Sequence, residues 1–206
     1  MIEQGSDEWR NQRLGLLTAS RFADLMAKTK SGPSTSRKNL IARLVCERFT
    51  GCYMETYSNA AMQRGTEMEP IARQAYEDHE LVAVELASYV PHPDYWFAGC
   101  SPDGYVGDVG LAEFKCPSAE AKHYEALRYG AHAKEYHWQL QGQLWVTGRQ
   151  WVDAVSFDPR WKGFELAIVR VNRDEKAIAE LEAECIAGNA EIEEQLAWFE
   201  QQREAA

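Results

Sequence analysis

Apolar positions along the chain keep a helical period as far as about residue 80 and then shorten to the period of strands. GSDEWRNQRLG offers Ser6 or Asp7 as an N-cap with acids in the first turn, which predicts a short helix ending near Gly15. LLTASRFADLM predicts a second helix that Thr18 or Ser20 can cap, leaving hydroxyls and unpaired N–H groups at its start. AKTKSGPSTSRKN, with its Gly, Pro and clustered Ser/Thr, reads as a mobile loop, and helical spacing resumes over 37–49 and 59–79. Next, LVAVELASYV, YWFAGCSPDGYVGD and GLAEFKCP predict three antiparallel strands. Helices over 118–129 and 134–147 follow, then the strands WVDAVSFD and FELAIVRVN. A long helix over 174–201 carries Ile178, Leu181, Cys185, Ile192, Leu196 and Phe199 on one stripe. This order predicts an α/β fold, a mixed central β-sheet flanked by helices, and the length of 206 residues fits one domain over 1–206.

Charge changes that picture through its distribution. The formal net charge is -10, yet residues 10–48 hold nine Lys/Arg against Asp24 and Glu47, while residues 174–204 hold ten Asp/Glu against Lys176 and Arg203. Both can be solvated helix faces; the basic stretch is also suited to a polyanion that the acidic remainder would repel. On this reading the acidic helix stays clear of nucleic acid and is free for a subunit or protein partner. Five cysteines lie far apart without a C-x-x-C pair, and the histidines show no ligand spacing, so neither zinc nor a disulfide framework is expected. Cys116 reads as a small buried filler rather than a nucleophile. No apolar run reaches membrane-spanning length and the start of the chain has no targeting pattern, so a cytoplasmic location is expected.

The candidate chemistry lies in SPDGYVGDVGLAEFKCP. On a strand, Glu113 and Lys115 share one face while Phe114 packs on the other, and Asp103 precedes the turn of the same hairpin. Neighbouring carboxylates repel unless a proton or cation lies between them, and hard oxygen donors favour Mg²⁺ or Mn²⁺. An ammonium beside them can orient a water and offset developing charge, as metal-assisted phosphodiester hydrolysis requires. A salt-bridged Glu113/Lys115 pair on an exposed sheet face explains the same spacing without any chemistry. Likewise, Thr18 and Ser20 taken alone are simple caps. Trp138, Trp145 and Trp151 read mostly as core, with Trp145 four residues after Gln141 and able to pack behind the site.

SPDG…LAEFKCP resembles the core of the PD-(D/E)XK nucleases. WRNQRLGLLTASRF, RGTEMEPIAR and QLQGQLWVTGR resemble, in order, three motifs of the phage lambda-type 5′ to 3′ exonucleases, the YqaJ-type viral recombinase nucleases. The resemblance implies Asp103, Glu113 and Glu69 as metal ligands, joined by the Phe114 backbone carbonyl, with Lys115 as water-positioning base or electrostatic helper. It leaves Glu67 a solvated carboxylate. Gln141 would line the active site, with Gln139 and Gln143 structural or on the surface. Arg13, Thr18 and Ser20 would hold a terminal 5′-phosphate, for which a guanidinium and hydroxyls are suitable donors. Lys28, Lys30, Arg37 and Lys38 would track duplex backbone, and Met62 would wedge between strands or be core.

The implied activity is Mg²⁺-dependent digestion of the 5′-terminated strand of double-stranded DNA to 5′-mononucleotides, leaving 3′ single-stranded tails for recombination by strand annealing. Two ions per site, a homotrimer and a phage-type single-strand annealing protein as partner come with the same resemblance. A catalytically weak DNA-end-binding or loading module, and another PD-(D/E)XK endonuclease, are the competing readings. An iron–sulfur nuclease would need four clustered cysteines, which the sequence lacks.

Overall fold

The computed structural model describes residues 2, 4–30, 32–53 and 60–205, and for 60–62 the backbone alone. α1 (Asp7–Gln12) is capped by Ser6, whose hydroxyl accepts from Trp9 N. β1 (Leu17–Thr18), a 3₁₀ turn (Ala19–Arg21) and α2 (Phe22–Met26) follow. The supposed mobile loop contains a two-residue hairpin, β2 (Lys28–Thr29) with β3 (Gly32–Pro33), and then enters α3 (Thr35–Thr50) at the Ser34 cap. Arg37 and Lys38 are therefore helical. α4 (Ala60–Glu80) carries Glu69.

The strand region differs from the three-strand expectation. β4 (Val84–Leu86), β7 (Gly104–Val106) and β8 (Gly110–Lys115) do pair antiparallel, and β9 (Trp151–Phe157) and β10 (Leu166–Asn172) extend them to the order β10-β9-β8-β7-β4. But YWFAGCSPDGYVGD divides at Ser101–Asp103. Its first half, β6 (Ala98–Cys100), joins β5 (Val90–Pro91) and β1 in a second sheet. Pro102 helps explain the break, since a proline has no N–H for a ladder. The consequence is functional: Asp103 sits where the chain passes from one sheet to the other.

β8 and β9 pair in parallel, Glu113 opposite Ala154, and alternation sends their side chains to two separate cores. Ala112, Phe114, Val155 and Phe157 pack with Ala72 and Tyr76 of α4. Leu111, Val152 and Ala154 join the larger core formed with α2, α3, α7 (His137–Thr147) and α8 (Glu175–Glu204). α5 (Glu120–Tyr129) and α6 (Ala131–Glu135) precede α7. Gly142 lets α7 approach α2 closely, because a Cβ there would fall 2.2 Å from the Phe22 ring.

The long helix is not free for a partner along its basic-facing side. Lys28 Nζ meets Glu184 at 2.8 Å and Glu180 at 3.9 Å, Arg37 meets Glu191 at 2.6 Å, and Arg48 meets Glu193 at 2.6 Å. Three of the nine basic side chains are thus paired with α8, so the positive and negative segments partly neutralise one another. Ile178, Leu181, Cys185 and Ile192 of the stripe are buried, while Phe199 stays exposed and packs on Phe49. Among the described residues no helix is long and apolar enough to cross a membrane.

Candidate active site

The β7–β8 hairpin brings Asp103, Glu113 and Lys115 together. Asp103 is 8% exposed, and its Oδ2 accepts a 2.7 Å hydrogen bond from Phe114 N, a neighbour on the facing strand's exit. Glu113, 3% exposed, accepts from Lys115 Nζ at 2.7 Å and Gln139 Nε2 at 2.5 Å on Oε1, and from Gln143 Nε2 at 2.6 Å on Oε2. Lys115 Nζ also lies 4.5 Å from the Tyr136 ring centroid, close enough for a cation–π contact.

Helix phase reassigns the glutamines. Gln139 and Gln143 are four apart on α7, one above the other, and both face Glu113. Gln141 points away: its Nε2 donates to Asn172 O and its Oε1 accepts from Asp174 N, both at 2.9 Å, tying β10 to the start of α8. Gln141 is thus a strut, and Gln139 and Gln143 are the glutamines that touch the acidic cluster, the reverse of the expected placement. The signal was present in the i, i+4 spacing. Trp145 packs on Phe22, His92 and Tyr95 in the larger core.

Electrostatics mark the cluster as short of positive charge. Burial, then Glu113 and Glu69, raise the Asp103 carboxyl well above the ordinary aspartate range, against Lys115 and the Phe114 amide. Burial and Glu113 likewise raise Glu69, against Arg73 and Lys115. Burial works to lower the Lys115 ammonium, but Glu113 and Asp103 outweigh it and hold the group above its usual range. Burial, Glu69 and Asp103 push the Cys116 thiol up to about 12, so it is protonated and inert. Glu67 is exposed, bonded to Gln63 at 2.9 Å.

Asp103 and Glu69, hard carboxylates whose charge is under-compensated beside Glu113, suit a divalent cation. Among the described residues, however, no three His, Cys, Asp or Glu side chains close into a ready-made metal cage.

The second expected group also assembles. Arg13 Nη2 donates to Thr18 Oγ1 and Ser20 Oγ, each at 3.2 Å, and the guanidinium stacks 3.7 Å over the Trp9 ring. Thr18 makes no side-chain capping bond to the 3₁₀ turn, so the plain cap reading fails for it. Two links tie this pocket to the acidic cluster: Thr18 pairs with Gly99 of β6, and Trp9 Nε1 donates to Ser101 Oγ at 3.0 Å, two residues before Asp103. Of the expected backbone-tracking residues, Lys30 and Lys38 are exposed without an ion pair among the described residues, whereas Lys28 and Arg37 are committed to α8. Arg37 is 8% exposed and cannot follow a duplex without leaving Glu191. The Met62 side chain lies outside the described residues.

A mixed sheet flanked by helices, with Asp, Glu and Lys on one hairpin, defines the PD-(D/E)XK fold class. The model of the YqaJ-like viral recombinase domain matches residues 8–150, and the chain belongs to that family. LHK-Exo, an alkaline exonuclease from Laribacter hongkongensis, has a crystal structure that superposes with a TM-score of 0.89 at 41% identity, covering 97% of this chain and 99% of that one. A crystal structure of LHK-Exo in complex with dAMP gives 0.90 at 42% identity over the same shares. A phage-related exonuclease from Haemophilus somnus 129PT shares the fold, with a TM-score of 0.74 at 15% identity over 92% of this chain and 99% of that one. No curated protein matches.

The raised Asp103 pKa has a stability consequence. An unfolded aspartate titrates near 3.9, so between roughly that pH and the higher folded value the native state binds the proton more tightly, and stability falls as pH rises through the window. Asp103→Asn removes this cost while keeping an acceptor for Phe114 N. In urea unfolding without divalent metal, the variant should be more stable than wild type at neutral and alkaline pH, with the difference vanishing at about pH 3.

Proposed function

We propose that the protein is a metal-dependent exonuclease that digests the 5′-terminated strand of double-stranded DNA to 5′-mononucleotides and leaves a 3′ single-stranded tail. The observation that carries this reading is the coupling of a buried Asp–Glu–Lys cluster to an Arg–Thr–Ser anion pocket through Thr18–Gly99 and Trp9–Ser101. An endonuclease has no use for a pocket that fits a chain end. The dAMP in the LHK-Exo crystal supports a mononucleotide product.

Asp103, Glu113 and Glu69, with the Phe114 carbonyl, would hold one or two Mg²⁺ or Mn²⁺ ions, which when bound lower the pKa of water and offset charge on the scissile phosphate. Gln139 and Gln143 fix the Glu113 carboxylate so that it need not reorganise. Lys115 orients a water or a phosphate oxygen as an ammonium. Arg13, Thr18 and Ser20 anchor the terminal phosphate and so set which bond lies over the acids. Lys30 and Lys38 contact the duplex backbone. One nuclease domain over 1–206, a homotrimer and a phage-type annealing partner belong to the same proposal, and a light-scattering mass of three chains is the readout of the trimer.

Linear 5′-phosphorylated duplex with Mg²⁺ should release acid-soluble mononucleotides, closed circular duplex should not, and Lys115→Ala should lower the rate by at least about a hundredfold while retaining end binding. End binding with no nucleotide release by wild type would favour a loading module, and cutting of the circle would favour an endonuclease.

Neutralising Lys30 and Lys38 together should reduce the slope of log affinity against log salt by about two units, one per lost phosphate contact. An unchanged slope in filter binding or anisotropy would place the duplex on another face.

A further inference from the structure

A second guanidinium, that of Arg21, shares the Glu47 carboxylate with the backbone N–H of Gly15, two residues beyond Arg13. Arg21, one residue beyond Ser20, lies near enough that its charge, after burial, helps bring Arg13 down to about 10. Like charges held together in a half-buried place are unfavourable unless an anion faces them. Among the described residues the carboxylate that faces this pair is Glu47, which is fully buried and already engaged. Its Oε2 accepts from Gly15 N at 3.0 Å and its Oε1 from Arg43 Nε at 3.0 Å, leaving Arg21 Nη2 a longer contact of 3.5 Å. Arg13 makes its bonds to neutral hydroxyls. Arg21 Nη1 is enclosed and has no hydrogen-bond partner. Turning the guanidinium toward an incoming anion would therefore give that nitrogen a bond that no protein group supplies.

We propose that Arg21 is the second cationic arm of the terminal-phosphate pocket, and that the Arg13–Arg21 pair selects a phosphomonoester dianion over a hydroxyl end or an internal diester. The inference rests on the reading of Arg13, Thr18 and Ser20 as that pocket, and adds the residue and the charge state it recognises. An internal diester carries one negative charge. A terminal phosphate carries close to two above its second pKa of about 6, and can offer oxygens to both planar guanidinium forks at once. Two guanidiniums at one phosphate therefore discriminate by charge as well as by shape. A chain end is the place on DNA where such a group occurs, so the pair would position the substrate's first nucleotide and reject register slips into the strand.

The test is competition binding, without divalent metal, between 5′-phosphoryl and 5′-hydroxyl duplexes of one sequence, at about pH 5 and about pH 7.5, on either side of the phosphate's second pKa. Taking the ratio of the two affinities cancels pH effects on the rest of the interface. For wild type the ratio should favour phosphate and rise with pH. Arg21→Gln should cut it about tenfold at the higher pH and flatten the rise. If the glutamine variant fails to fold, Arg21→Lys keeps the counter-charge for Glu47 but loses the fork, and its ratio should fall a few-fold. A variant that keeps the wild-type ratio, or loses affinity for phosphate but keeps the wild-type rise with pH, overturns the proposal. A wild-type protein indifferent to phosphate overturns the pocket itself, which is a separate result.

Discussion

Glu113 sits in the middle of a buried parallel strand pair, where an ionised carboxylate would be untenable without donors. Lys115, Gln139 and Gln143 supply three, from the same strand and from the helix that covers it. Much of the remaining architecture follows from keeping those donors in place. α7 must hold its phase over β8; its close packing on α2 is allowed by Gly142 against Phe22, and Gln141 fastens it to the end of β10 and the start of α8 through Asn172 and Asp174. Asp103 and Glu69 then stand near a carboxylate that is already satisfied, so their own charges are the ones left under-compensated. A hard cation would resolve that imbalance, and a substrate phosphate could share it.

The second sheet serves a different purpose. β6 runs beside β1 and then delivers Asp103 to the first sheet, so the strand that carries Thr18 is in register with the strand that leads to the acids. Trp9 stacks under Arg13 and bonds Ser101, fixing the anion pocket to the same turn. Pocket and acids are thus linked by one strand pairing, one side-chain bond and the short crossing at Ser101–Asp103, which would suit a reaction that measures from a chain end.

Strand alternation made part of this legible in the sequence. Glu113 and Lys115 two apart, with Phe114 opposite, is what β8 shows, and the order of helices and strands was sufficient for a mixed sheet between helices. The misreadings have physical causes. A Gln-x-Gln motif says nothing about which phase of the helix meets the sheet, and the phase chosen was the wrong one. Local charge balance cannot reveal that Arg37 and Glu191, 154 residues apart, are partners, because pairing over that distance is decided by the packing of α3 on α8. Thr18 and Ser20 read equally as caps and as anion donors in the sequence, because both uses need the same hydroxyls, and the approach of Arg13 to them is visible only in the fold. Arg21 gave no signal at all, since its meaning lies in what it fails to bond.

Anomalous diffraction from crystals grown with Mn²⁺ and a 5′-phosphorylated duplex tests directly whether the Asp103–Glu113 pair takes a divalent cation next to a phosphate anchor. The expected result is a Mn²⁺ peak on carboxylate oxygens of Asp103 and Glu113, with the terminal phosphate on Arg13. A peak elsewhere on the protein, with Glu113 still held by Lys115, Gln139 and Gln143 alone, would contradict it.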